Sequence, residues 1–124
     1  HQYDIIKKSI EKKTSTFFEI SIVISFIASG GNLSHLDEIY QCANSFGLAF
    51  QINDDFLDAE TDAERDFCPN FINHFGEKKS LTEYSKEKKN FCRIIKKLEL
   101  NNIVFNEIIH LLDKRLNKPE LINY

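Results

Sequence analysis

Three carboxylates, Asp54, Asp55 and Asp58, stand close together in the stretch Phe46-Gly-Leu-Ala-Phe-Gln-Ile-Asn-Asp-Asp-Phe-Leu-Asp58. The stretch contains no proline, and large apolar residues recur along it at Phe46, Phe50 and Leu57, so it reads as helix. At 100° per residue, Gly47, Gln51, Asp54, Asp55 and Asp58 share one stripe, with Phe46, Phe50, Ile52, Phe56 and Leu57 beside or opposite it. Like charges four apart repel, and carboxylates beside a packed core lose hydration. A divalent cation is the simplest compensation. Oxygen ligands without His or Cys suit Mg²⁺ better than Zn²⁺, and Mg²⁺ commonly takes one or two carboxylates, keeps waters and bridges to substrate phosphates. The bland alternative is a solvated acidic helix end.

A second candidate group lies upstream. Ile6, Ile10, Phe17, Ile24 and Ala28 mark a buried helix face, and Lys13 and Thr14 interrupt it. A lysine in an apolar stripe either snorkels to solvent or directs its ammonium into a cavity, where it can meet an anion such as a diphosphate.

Two motifs in order carry a resemblance. Phe-Gly-Leu-Ala-Phe-Gln-Ile-x-Asp-Asp-x-x-Asp resembles the second aspartate-rich motif of the trans-prenyl diphosphate synthases, the polyprenyl synthetase family. Lys13-Thr14-Ser15-Thr16-Phe17-Phe18 is similar to that family's Lys-Thr-x-x-Leu-Phe segment, at the usual distance before the Asp motif. The resemblance implies an all-α fold, part of an isoprenoid-synthase-type helical bundle with about four main helices. It implies Mg²⁺-dependent condensation of an allylic diphosphate with isopentenyl diphosphate. Asp54, Asp55 and Asp58 would hold metal, Lys13 would hold diphosphate oxygens, Thr14 and Gln51 would hydrogen-bond near them, and Phe50 would line the cavity. It further implies a homodimer for a full-length protein. Residues 1–118 would be the C-terminal portion of one such domain, with 119–124 a loose tail. The family's first Asp motif has no counterpart in this sequence, so the chain alone is expected to be nearly inactive.

The elements that must position these groups can be read in order. A long helix over 3–29, with room for a kink near Lys13, should end at Ser29-Gly30-Gly31-Asn32. Ser34, with Asp37 three residues on, should start a helix running from about His35 to about Glu60. His35 reads as a surface residue. Thr61 to Pro69 reads as a loop, shorter than the family's and without its Gly and Lys. Asn70 to Phe75 looks like a helical turn beginning at Pro69, with His74 as a packing residue. Glu77 to Leu98 is an amphipathic helix burying Leu81, Tyr84, Phe91, Ile94, Ile95 and Leu98, its lysines forming a solvated face. Ile103 to Leu116 is a last helix with Val104, Ile108, Leu111 and Leu112 apolar, and Lys114 and Arg115 complementing its C-terminal dipole.

Composition limits the rest. The 124 residues make at most one domain. A net charge of −3 and no basic stripe with interleaved aromatics argue against a nucleic-acid partner. No apolar stretch is long enough for a membrane span. Cys42, Cys68 and Cys92 lack metal spacing and read as structural thiols in a reducing, cytoplasmic setting. Three functional readings follow: a piece of an active prenyl diphosphate synthase, a non-catalytic synthase-like subunit, or an unrelated helical interaction domain.

Overall fold

In the computed structural model, residues 2–65, 69–100 and 103–116 are described, apart from the side chains of 2, 3, 6, 7, 10–17, 19 and 104. The described residues are all-α: α1 (Gln2–Ala28), a 3-10 turn (Leu33–His35), α2 (Leu36–Ala63), α3 (Phe71–Phe75), α4 (Glu77–Lys97) and α5 (Ile103–Leu116). None of these helices is long and apolar enough to cross a membrane.

α1 runs on without proline or glycine until Gly30, whose φ of 83° stops it. The Gly30 N–H then donates to the Ile27 carbonyl at 3.1 Å and the Gly31 N–H to that of Phe26 at 2.9 Å, a Schellman ending. A Cβ on Gly31 would come within 2.5 Å of the Phe26 ring, which would have to shift to admit it. The turn folds α2 back antiparallel on α1. Asn32, not Ser34, supplies the cap, accepting from the Ser34 N–H at 3.0 Å. The α-helix begins one residue later than expected, at Leu36, and His35 makes no side-chain cap. Its Nδ1 instead lies 3.4 Å from Glu38 on the half-exposed surface.

The face that α1 buries differs from the one read in the sequence. Ile24 is 59 % exposed and Ala28 is exposed, while Val23 is buried and Phe18 and Ile22 pack towards the core. Ile6, Ile10 and Phe17 lie outside the described side chains. Between residues 17 and 27 the helix is apolar nearly all round, so two stripes compete. Contact decides between them: the Phe18 ring meets Phe46 at 4.9 Å and Phe50 at 5.4 Å.

α2 is the central element and packs against α1, α3, α4 and α5. Its Cys42, Phe46, Ile52 and neighbours meet Phe71 of α3, Tyr84, Phe91, Ile94 and Ile95 of α4, and Ile109, Leu112 and Leu116 of α5. Burial pushes the Cys42 thiol up to about 12, so it packs as an apolar group. α4 ends on Glu99 in the left-handed region, φ 56°, with the Leu100 N–H returning to the Ile95 carbonyl at 2.8 Å.

Two further expectations are corrected here. Lys88 does not belong to a solvated face: it is 3 % exposed, with Nζ 3.0 Å from the fully buried Asp113 of α5. Tyr84 donates its hydroxyl to the same carboxylate at 2.8 Å. A charge at helical position 88 points inward because a partner waits there. On α5, Leu111 is 57 % exposed and Ile109 takes the core position, the register being set by that buried pair.

Candidate functional site

The structure divides the three aspartates. Asp54 and Asp58, four residues apart, lie on the outward flank of α2; Asp54 is half-exposed and Asp58 exposed. Asp55, 100° round the helix from Asp54, is 3 % exposed and faces α3. Its Oδ2 accepts the Phe71 N–H at 2.8 Å, and its Oδ1 accepts from Gln51 Nε2 at 2.9 Å. Burial raises its pKa, against the pull of the Phe71 and Gln51 hydrogen bonds. The stripe of Gly47, Gln51, Asp54, Asp55 and Asp58 is wide enough to span 100° of the helix, and tertiary packing splits it.

The segment after the aspartates is built on Asn70. Fully buried, it gives Nδ2 to the Asp55 carbonyl at 2.9 Å and to Asp62 Oδ2 at 3.0 Å. Its Oδ1 accepts the N–H groups of Ile72 at 3.0 Å and Asn73 at 3.2 Å. Asn70 and Asp55 together thus satisfy the first three N–H groups of α3, which is how a five-residue helix persists. α3 is capped by Asn70 and does not start at Pro69, and α2 runs on to Ala63 where the sequence predicts a loop from Thr61. His74 is exposed and does not pack inside. Asn70 had a signal in the sequence, an Asn directly before the apolar Phe71-Ile72, which is an N-cap pattern.

On the other flank Phe50 lies half-buried, 6.4 Å from Phe46 between ring centroids. An unexpected cation joins it. Arg115 of α5 places Nη2 2.8 Å from Asp54 Oδ1 and its guanidinium 5.8 Å from the centre of the Phe50 ring. The side chain of Asn53, next to Asp54, donates to the Leu112 carbonyl at 2.7 Å, which fixes α5 at that height. A separation of 61 residues between Asp54 and Arg115 left no local signal for this contact.

The side chains of Lys13 and Thr14 lie outside the described residues. The register of the hairpin bears on them only through the backbone. Phe18 meets Phe46 and Phe50, so antiparallel packing sets residues 13 and 14 of α1 level with residues near 54 of α2.

Among the described residues no three His, Cys, Asp or Glu side chains gather as a metal-holding cluster. Asp54 and Asp58 form a two-carboxylate set. That set fits a Mg²⁺ shared with phosphate oxygens and water, and does not fit an all-protein cage.

The polyprenyl synthetase family model matches residues 2–67, which take in α1, the turn and α2. Trans-prenyltransferases of African swine fever virus align over 97 residues: 27 % identical for a Kenyan isolate and 26 % for isolates from South Africa and Malawi. The alignment covers 78 % of this chain but 29 % of each viral protein, so the chain spans under a third of the length of these relatives. No solved structure matches it. With more than half of its residues matched, and the aspartate pair set on the helix that the match ends with, the chain belongs to the polyprenyl synthetase family.

Proposed function

We propose that this chain supplies the diphosphate-binding, metal-holding side of a trans-prenyl diphosphate synthase, which joins an allylic diphosphate to isopentenyl diphosphate. The observation that carries the reading is the pairing of Asp54 and Asp58 on the outward flank of α2, inside the family match and beside an aromatic wall. Asp54 and Asp58 would hold Mg²⁺, directly or through water, while Asp55 holds the segment behind them. When bound, the cation offsets the charge that grows on the departing diphosphate. Lys13 meets the diphosphate oxygens, and Thr14 and Gln51 hydrogen-bond close by. The C–O bond of the allylic substrate breaks, the alkene of isopentenyl diphosphate attacks the resulting cation, and a proton is lost. Phe18, Phe46 and Phe50 form a dry wall that keeps water from trapping that cation. This chain is the C-terminal portion of the domain, and the whole protein is a homodimer.

A non-catalytic synthase-like subunit is the second reading. It is favoured by the short stretch between α2 and α3, which carries no Gly or Lys and ends at an Asn70 bonded back to the Asp55 carbonyl and to Asp62.

The test is calorimetric titration of Mg²⁺ into the chain with and without dimethylallyl diphosphate, for the wild type and Asp54→Ala. Diphosphate should tighten Mg²⁺ binding, Mg²⁺ should tighten diphosphate binding by the same factor, and Asp54→Ala should remove most of that coupling. Equal Mg²⁺-dependent binding by both forms would sink the site assignment. Incorporation of isopentenyl diphosphate by the protein with the N-terminal half of the domain restored separates the catalytic from the non-catalytic reading.

A further inference from the structure

The contact between Arg115 and Asp54 joins the far end of the chain to the flank just described, and it is held from several sides. Arg115 follows Asp113 by two residues, and Asp113 is locked in the core by Lys88 Nζ at 3.1 and 3.0 Å and by the Tyr84 hydroxyl at 2.8 Å. Leu112 is held by Asn53. The guanidinium itself rests against the Phe50 ring. The C-terminal turn of α5 is therefore set against α4 by the bonds to Asp113 and against α2 by Asn53, and Arg115 reaches Asp54 from a fixed base.

Resting on the reading above, we propose that Arg115 makes metal binding at Asp54 conditional on diphosphate. An Arg and a divalent cation on one carboxylate repel each other. Two unit charges 4 Å apart in water oppose one another by about 1 kcal/mol, roughly a fivefold change in affinity, and a divalent ion exceeds that. A diphosphate removes the conflict, because its oxygens accept the guanidinium in bidentate fashion while they also ligate the metal. Arg115 then moves from Asp54 to phosphate, and the carboxylate is released to the cation. Metal without diphosphate is disfavoured, and metal with diphosphate is not.

The experiment uses Mn²⁺ as the probe, read by electron paramagnetic resonance, on the wild type, Arg115→Ala and Arg115→Lys, each alone and with inorganic pyrophosphate. Arg115→Ala should bind Mn²⁺ alone about fivefold or more tightly than the wild type. The factor by which pyrophosphate tightens Mn²⁺ should be smaller in Arg115→Ala, with Arg115→Lys between the two. By linkage, Mn²⁺ should also speed amide hydrogen exchange over residues 112–116 in the wild type. Unchanged or weaker Mn²⁺ affinity in Arg115→Ala, or an undiminished pyrophosphate effect, overturns the inference. Metal binding that needs Asp54 but ignores Arg115 overturns it while leaving the proposed function standing. Metal–pyrophosphate binding that ignores Asp54 overturns both.

Discussion

Asp55 shows how one residue of a metal-binding motif serves the fold. Its two oxygens are committed to Phe71 and Gln51, and burial raises its pKa above the ordinary carboxylate value. The folded chain therefore keeps this proton to higher pH than the unfolded chain does. For this group, stability is greatest below the ordinary carboxylate range and declines as pH rises through the raised pKa. Asp55→Asn removes that contribution while keeping an oxygen for the Phe71 N–H. The stability difference between wild type and Asp55→Asn, measured by urea unfolding from acid to neutral pH, should shift against the wild type as pH rises and then level off. Asp55→Ala leaves the Phe71 N–H without its acceptor and should cost about 1–3 kcal/mol. A flat difference for Asp55→Asn across the whole range would mean that folding leaves the Asp55 pKa where it is in the unfolded chain.

At the scale of elements, the Lys88–Asp113 pair decides how α5 sits. Removing one member of a buried ion pair strands the other, at a cost of about 3–5 kcal/mol, whereas replacing both with apolar residues of similar volume is often neutral. Lys88→Met should be severely destabilising in chemical denaturation, and Lys88→Met with Asp113→Leu should recover much of the loss; a double variant as unstable as the single one contradicts this account. The same pair marks the limit of what the sequence can disclose. Apolar periodicity located α4 to within a residue and α5 at its observed bounds, and Gly30 and Gly31 announced the turn. The pattern could not tell Lys88 from its exposed neighbours, because an inward lysine differs only by a partner 25 residues away. Nor could it choose between two apolar stripes on α1, or see that Asp54 and Asp55 would part. Asp54, Asp58 and Phe50 were legible as a group because helical spacing alone brings them near one another; Arg115 was not.

For the whole molecule, the choice of stripe on α1 has a visible result. Ile20, Ile24 and Ile27 are 55 %, 59 % and 46 % exposed and lie at i, i+4, i+7, so they form a continuous apolar line on the outside of the helix pair. The chain should associate through this line. Sedimentation should show concentration-dependent oligomers for the wild type, and Ile20→Glu with Ile24→Glu should shift them towards monomer with helical circular dichroism unchanged. A wild type that stays monomeric at high concentration contradicts this expectation.

The hairpin geometry also orders events in time. The Phe18–Phe46 contact joins residues 28 apart across a two-glycine turn, whereas Asn53 and Leu112 meet across 59 residues. Loops that close early need little chain entropy, so α1 and α2 should zip from the turn, and α5 should arrive late. In a kinetic series, Phe46→Leu should slow refolding, and Leu112→Ala should mainly speed unfolding. The flank bearing Asp54 lies at the open end of the hairpin, so it is among the last parts of the molecule to acquire its final neighbours. A chain halted before α5 docks would already present Asp54 and Asp58 on a formed helix, but without the arginine that faces them.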